Sequence, residues 1–374
     1  MIFLDNASTT KVLPEVLDVY NKYSTELYFN PSAPYICANN VKKDILQAEK
    51  FILKFLHATS DSKVIFTSCA TESNNMAILC NLNKRFKKVL LSVGEHSSIY
   101  NLSQEIKNRG FEVDFIKLQE NGQVDENDLI NKMSSEVGLV AIMSVSNETG
   151  AINDIEKLVK LVKSVNFDCY FHCDGVQAMC KIDVNLSKWG VDSFTFSGHK
   201  ICAPKGVAGL IVKKNILPMI IGGGQQNGLR SGTENVAGIM AMTKAIEILS
   251  AKNAFAYVKE LNSCARKILG EQKGISINSN QENSPYILSI SFAGVNGATI
   301  VNMMDADGVC LGTGSACTTK KAGNTTLEAM KVSQENIMGS VRMSFCFSNT
   351  IEEVQFACNK LIENYVKLKK IMGK

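Results

Sequence analysis

SFTFSGHK, residues 193–200, alternates aromatic and hydroxyl side chains and then ends in Ser-Gly-His and a single lysine. Its first residues read as a strand of a sheet. Lys200 is followed at 202–206 by CAPKG rather than by a helix. A lysine at the mouth of a sheet is, in isolation, a solvated side chain. Yet sites of α/β proteins lie at the carboxyl ends of strands, so this is also where a Schiff-base lysine stands. The surrounding chain decides between the two readings.

On both sides of this strand the pattern repeats. KVIFTS (63–68), KVLLSV (88–93), FEVDFI (111–116), GLVAIMSV (138–145), DCYFHC (168–173), DSFTF (192–196) and VAGLIV (207–212) read as strands. Amphipathic stretches such as DIEKLVKLVKSV (154–165) lie between several of them. Strand–helix alternation predicts a mostly parallel sheet covered by helices, an α/β fold. After Gly232 the rhythm changes. ENVAGIMAMTKAIEILS (234–250) and the stretch to about 270 read as long helices, followed by YILSISF (286–292), a short helix, SVRMSFC (340–346) and a terminal helix from 350. This predicts a smaller α+β domain.

Composition removes several classes. The 374 residues, 45% of them hydrophobic, bury a sizeable core. A net charge of +4 gives no electrostatic reason to expect nucleic acid or an anionic membrane as the main partner. No apolar run approaches the ~18–20 residues of a spanning helix. The opening MIFLDNASTT lacks a leader pattern, so a cytoplasmic protein is expected. The 12 cysteines include no C-x-x-C, and no His/Cys cluster has zinc spacing, so no metal is expected. Each cysteine alone reads as a small buried hydrophobe.

If Lys200 carries a Schiff base, the other parts of a pyridoxal phosphate (PLP) site must exist. YFHCDGVQA (170–178) ends a strand in Asp174, a carboxylate to keep a pyridine nitrogen protonated, with Gln177 able to reach the phenolic oxygen. IFTSCATESNN (65–75) runs from strand to helix, where the backbone N–H groups of Ala70 and Thr71 and the Thr71 hydroxyl suit an anion. GEHSS (94–98) places His96 just after a strand, ready to stack on a flat ring. Each has a plainer alternative: a helix N-cap for Asp174 and Thr71, a surface or core residue for His96. Together they place anion site, ring-stacker, acid and lysine in strand-end loops of one sheet.

FTS-x-ATESNN, EH-S, SNE-T-G (146–150), H-x-DGVQA, SGHK, GGGQ-x-x-x-x-RSGTEN (222–235), GSACT (314–318) and VRMSF (341–345) follow in order. In this the chain resembles the cysteine desulfurases of the iron–sulfur assembly and nitrogen-fixation type, class V PLP enzymes of fold-type I. The resemblance runs from LDNASTT (4–10) to the terminal helix. It implies a large PLP-binding domain at 15–250 and a small domain of 1–14 with 251–374. It implies the Schiff base on Lys200 and a ring held by His96, Asp174 and Gln177, with Asn147 near its phenolic oxygen. Thr71, Ser197 and His199 would bind the phosphate, joined by Thr233 from the other subunit of a homodimer. Arg342 would clamp the substrate carboxylate, a role suited to its bidentate fork.

LGTGSACTTKK (311–321) begins like a dinucleotide turn but opens no helix immediately, and no other G-x-G-x-x-G or P-loop exists. Gly312, Gly314, Ser315 and Ala316 instead suit a light, flexible loop carrying Cys317 as a nucleophile. The resemblance implies conversion of L-cysteine to L-alanine, with sulfur passing to Cys317 as a persulfide. His96 or the substrate would activate the thiol, and the sulfur would go on to an acceptor or iron–sulfur scaffold protein. A class V aminotransferase or selenocysteine lyase would not need Cys317. A non-catalytic scaffold would bind little cofactor. The glycine replacements give that last reading its only support: Cys69, Ala203, Ala208 and Cys346 stand for glycines, with strain expected wherever a positive φ is required, while Gln226-Asn227 stands for Glu-Arg and would alter affinity for the substrate carboxylate or phosphate.

Overall fold

The computed structural model describes residues 1–214, 216–313 and 326–373. Cys317, with Gly314, Ser315 and Ala316, lies outside the described residues.

The chain begins with β1 (Ile2–Phe3). Seven strands then form the main sheet: β2 (Lys63–Thr67), β3 (Lys88–Ser92), β4 (Glu112–Ile116), β5 (Val137–Ala141), β6 (Tyr170–Asp174), β7 (Ser193–Ser197) and β8 (Ala208–Val212). Their order is β2-β8-β7-β6-β5-β3-β4. Only β8 runs antiparallel to its neighbours, so the expected mostly parallel sheet is found. Every residue of β7 and β8 is buried, as strands covered by helices on both faces require.

The covering helices follow from apolar spacing. In Ile155–Val165, Ile155, Leu158, Val159 and Val162 are buried at one face, and Asp154 caps the start by accepting from the Lys157 N–H. Gly175, directly after β6, has no alternative residue. A Cβ there would collide with the Phe194 ring of β7, and the two strand ends carrying Asp174 and Ser197 would be pushed apart.

A second sheet holds β9 (Ile275–Ile277), β10 (Ile287–Phe292), β12 (Gly312–Thr313) and β13 (Ser340–Ser344) in the antiparallel order β12-β13-β10-β9. The terminal helix Ile351–Ile371, started by a Thr350/Glu353 capping box, packs on it. Three core clusters cover the large sheet, the largest of them also taking in Leu327, Met330 and Ile337. A separate one joins Leu4 and Ala7 to Val258, Leu288, Val341 and Leu361.

The N-terminal segment connects the two. β1 pairs in parallel with β11 (Val309–Cys310), and Ser344 N–H donates to Leu4 O at 2.7 Å. A few residues on, Thr10 N–H donates to His199 O at 2.8 Å. Residues 2–10 therefore run from the small sheet to the turn that carries Lys200. No described helix is long and apolar enough to cross a membrane.

Candidate active site

β7 ends in a 3-10 turn, Gly198–Lys200, which lifts Lys200 over the carboxyl ends of the sheet. Its Nζ donates to Ala7 O at 2.7 Å and Ser8 O at 2.5 Å. Burial first, and then the neighbouring Lys181 and Arg342 cations, bring its pKa down to about 7. A lysine so depressed is a usable nucleophile or base near neutrality.

Lys200 lies in a cleft of about 430 Å³. Asp174, Gln177 and His199 line it from the ends of the large sheet's strands, Arg342 from the middle of β13, His96 and Asn147 from loops, and Ala70 and Thr71 from the start of the helix Ala70–Leu79. The structure thus brings together nearly all the expected site residues. Ser197 stands just beneath, buried, its hydroxyl without a hydrogen-bond partner. Thr233 is exposed and does not line the cleft of its own chain.

Asp174 is fixed from two sides: its Oδ1 accepts from the Val176 N–H at 2.9 Å and its Oδ2 from Asn74 Nδ2 at 2.8 Å. Asn74 also donates to Ser98 Oγ, and its Oδ1 meets His172 Nε2 at 3.0 Å. His172 Nδ1 in turn meets Ser193 Oγ at 2.8 Å. Full burial drives His172 down to a pKa of about 3, so it stays neutral. This network links β6, β7 and the helix Ala70–Leu79 beneath Asp174. Sequence reading missed Asn74, Ser98 and His172, although ESNN and H-x-DGVQA contain two of them.

His96 Nδ1 accepts from the Ser98 N–H at 3.1 Å, so it caps a short helix and still presents its ring to the cleft. Burial outweighs the nearby Asp174 carboxylate and lowers its pKa. Its neighbour Glu95 was also missed. Glu95 Oε1 accepts from the Met143 N–H, and burial followed by Asp174 raises its pKa well above the carboxylate range. His199 is lowered to about 4, first by burial and then by Lys200.

Gln177 Nε2 donates to Ala7 O at 2.9 Å, and its Oε1 accepts from Lys181 Nζ at 2.6 Å. Arg342 donates from Nη2 to Asp5 Oδ1 at 2.8 Å and from Nη1 to Asn147 O at 2.9 Å. Its buried Nε has no partner.

The expected strain at the glycine replacements does not occur. Cys69 has φ −164° and ψ 163°, extended backbone that any residue adopts. Ala203, Ala208 and Cys346 are not left-handed either; the left-handed residues among these segments are Cys202 at φ 59°, Gln226 at φ 51° and Asn227 at φ 59°. Gln226 and Asn227 stand away from the cleft. Gln226 instead bonds both the N–H (2.7 Å) and the carbonyl (2.8 Å) of Phe66 on the edge strand β2.

Residues 2–356 match the family described as aminotransferase class-V. The chain is 35% identical over 380 residues to the cysteine desulfurase IscS of Dictyoglomus turgidum, covering 99% of this chain and 96% of that one. It is 33% identical over 363 residues to a cysteine desulfurase of Trichormus azollae, covering 95% and 90% of the two chains. A solved NifS-like protein superposes with a TM-score of 0.91 at 32% identity, over 97% of this chain and 98% of that one. A structure titled SspA in complex with cysteine superposes at 0.80 with 26% identity, over 92% and 99%.

The chain belongs to the aminotransferase class-V family, and its fold is that of the PLP-dependent fold-type I enzymes. Within that family it is a cysteine desulfurase of the NifS and IscS type.

Proposed function

We propose that this cleft binds PLP and L-cysteine, that Lys200, Arg342 and Cys317 carry the desulfuration, and that the protein works as a cytoplasmic homodimer. The observation that carries the reading is the convergence of Lys200, Asp174, His96 and Arg342 on one cleft.

The residues present fit the cofactor. Ser197 offers a buried hydroxyl with no partner, and no side chain caps the first N–H groups of the helix Ala70–Leu79. A phosphate would satisfy both. Thr71, Ser197, His199 and the N–H groups of Ala70 and Thr71 would hold the phosphate. Asp174 would hold the ring nitrogen, His96 the ring face, and Gln177 and Asn147 the phenolic oxygen. When bound, the cofactor supplies an electron sink for the carbanion at the substrate Cα.

The remaining steps belong to the chain. Arg342, already oriented by Asp5 and Asn147, lines the cleft and would receive the substrate carboxylate. Lys200, depressed to about 7, takes and returns the proton at Cα. Cys317 accepts the sulfur as a persulfide and passes it to an acceptor or scaffold protein, with His96, its pKa lowered, as candidate proton acceptor. Exposed and remote from its own cleft, Thr233 is available to the phosphate site of a second copy. We draw the domains at 15–250 and at 1–14 with 251–374; Leu4 and Ala7 share a core with the small sheet and terminal helix, while Leu327, Met330 and Ile337 pack with the large sheet. The scaffold alternative loses its main support with the relaxed backbone at Cys69.

The test is L-cysteine-dependent production of sulfide and alanine by the purified protein beside Cys317→Ala. Stoichiometric products that vanish in the variant support the reading. An unchanged variant removes Cys317 and favours transamination.

A further inference from the structure

Behind Lys200, on the side away from Asp174, two cysteines meet. Cys202 follows Lys200 by two residues, and Cys346 follows Arg342 by four. Cys202 and Cys346 line one cavity of about 30 Å³ together with Lys181 and Lys200. Both are almost fully buried, at 4% and 8% exposure. Cys202 is held in place by its N–H to Thr10 Oγ1 at 2.7 Å, and Cys346 by its N–H to Asn349 Oδ1 at 2.9 Å.

Two features make the pair reactive. Interaction with Cys202, with smaller help from the Lys181 cation, lowers the Cys346 pKa, while that of Cys202 is raised. A route in also exists. The small cavity shares Cys180, Lys181, Leu249, Ala254 and Tyr286 with a neighbouring cleft of about 580 Å³.

We propose that Cys202 and Cys346 are a peroxide-oxidisable dithiol whose disulfide ties the Lys200 turn to the Arg342 strand and reversibly suppresses turnover. The Cys346 thiolate attacks one oxygen of hydrogen peroxide. The S–O bond forms, the O–O bond breaks and hydroxide leaves, giving a sulfenic acid. The Cys202 sulfur then attacks the Cys346 sulfur. The S–S bond forms, the S–O bond breaks, and the departing hydroxide takes the Cys202 proton as water. Overall the two thiols lose two electrons and two protons, and peroxide becomes two waters. A bond of about 2.04 Å must replace a longer thiol–thiol contact, so the two segments are drawn together. Those segments carry the lysine and the arginine of the cleft.

Holoenzyme carrying Cys317→Ser is treated with equimolar hydrogen peroxide and alkylated, and its peptides are mapped. The expected result is a peptide pair linking Cys202 to Cys346, separated by dithiothreitol and absent in Cys202→Ala and in Cys346→Ala. This readout does not depend on the proposed reaction, so failure of the pair and failure of the desulfurase reading are distinguishable. With Cys317 present, peroxide should cut turnover by at least ~10-fold through displacement of aligned groups. Dithiothreitol should restore it, and Cys202→Ala should lack that reversible part. Separate alkylation of both thiols after treatment, or an equal reversible loss in Cys202→Ala, overturns the proposal.

Discussion

Arg342 Nη2 lies 2.8 Å from Asp5 Oδ1, an ion pair joining the first strand's end to a strand 337 residues later. Side-chain exposures of 14% and 20% leave it little screened by water. The carboxylate holds one edge of the guanidinium of an arginine that lines the cleft. Asp5→Asn should therefore loosen the arginine without removing it. A charge-assisted hydrogen bond is worth about 1.5–3 kcal/mol, part of which Asn retains, so KM for L-cysteine should rise about 3–10-fold with kcat little changed. Steady-state kinetics decide this. A lower KM in the variant would mean that Asp5 competes with substrate instead of orienting its partner.

Lys200 has its pKa near 7 because it is buried beside Lys181 and Arg342. Its neutral, nucleophilic form therefore dominates above pH 7, not above the ordinary value of about 10.4. The rate at which apoprotein takes up PLP should rise with pH to a midpoint near 7, followed by absorbance. Lys181→Met removes a neighbouring cation, so the midpoint should move to higher pH. An unmoved midpoint would leave burial and Arg342 as the causes.

Cys69→Gly tests the glycine position directly. Because Cys69 is extended at φ −164°, glycine relieves nothing and adds freedom to the unfolded chain. Stability should fall by about 0.5–1 kcal/mol in urea unfolding, with activity unchanged. A more stable or faster variant would mean that the side chain obstructs the phosphate cradle.

The parts of this fold written as continuous apolar, β-branched runs were legible in the sequence. β2 to β8 were all anticipated within a few residues, because their runs are rich in β-branched and aromatic residues, even in the half-exposed edge strand β4. The antiparallel direction of β8 was not, since direction leaves no periodicity. Two-residue strands such as β1 and β11 are too short to have a pattern, and they form by pairing with each other. Site residues at strand ends were legible for the same reason as the strands. Asn74 and His172 were not, because their role depends on partners about a hundred positions away, Asn74 with Asp174 and His172 with Asn74. Cys317 was legible only by motif.

His172 also makes stability depend on pH. Its pKa is about 3 in the fold and about 6.5 when unfolded, because burial excludes the charged ring. Between those values the unfolded chain binds a proton that the folded chain refuses. The unfolded state holds more protons, so stability is complete above pH 6.5 and falls as pH drops toward 3. One such group contributes a slope of about 1.4 kcal/mol per pH unit inside that window. His199, lowered to about 4, adds to it over a narrower range. Replacing His172 by Gln removes the titrating ring and keeps a group able to bond Ser193 or Asn74. The variant should be less stable than wild type at pH 7.5 yet lose less between pH 6 and 4 when chemical denaturation is repeated across that range. Parallel curves for the two proteins would mean that His172 does not titrate on unfolding and would remove it as the source of acid sensitivity.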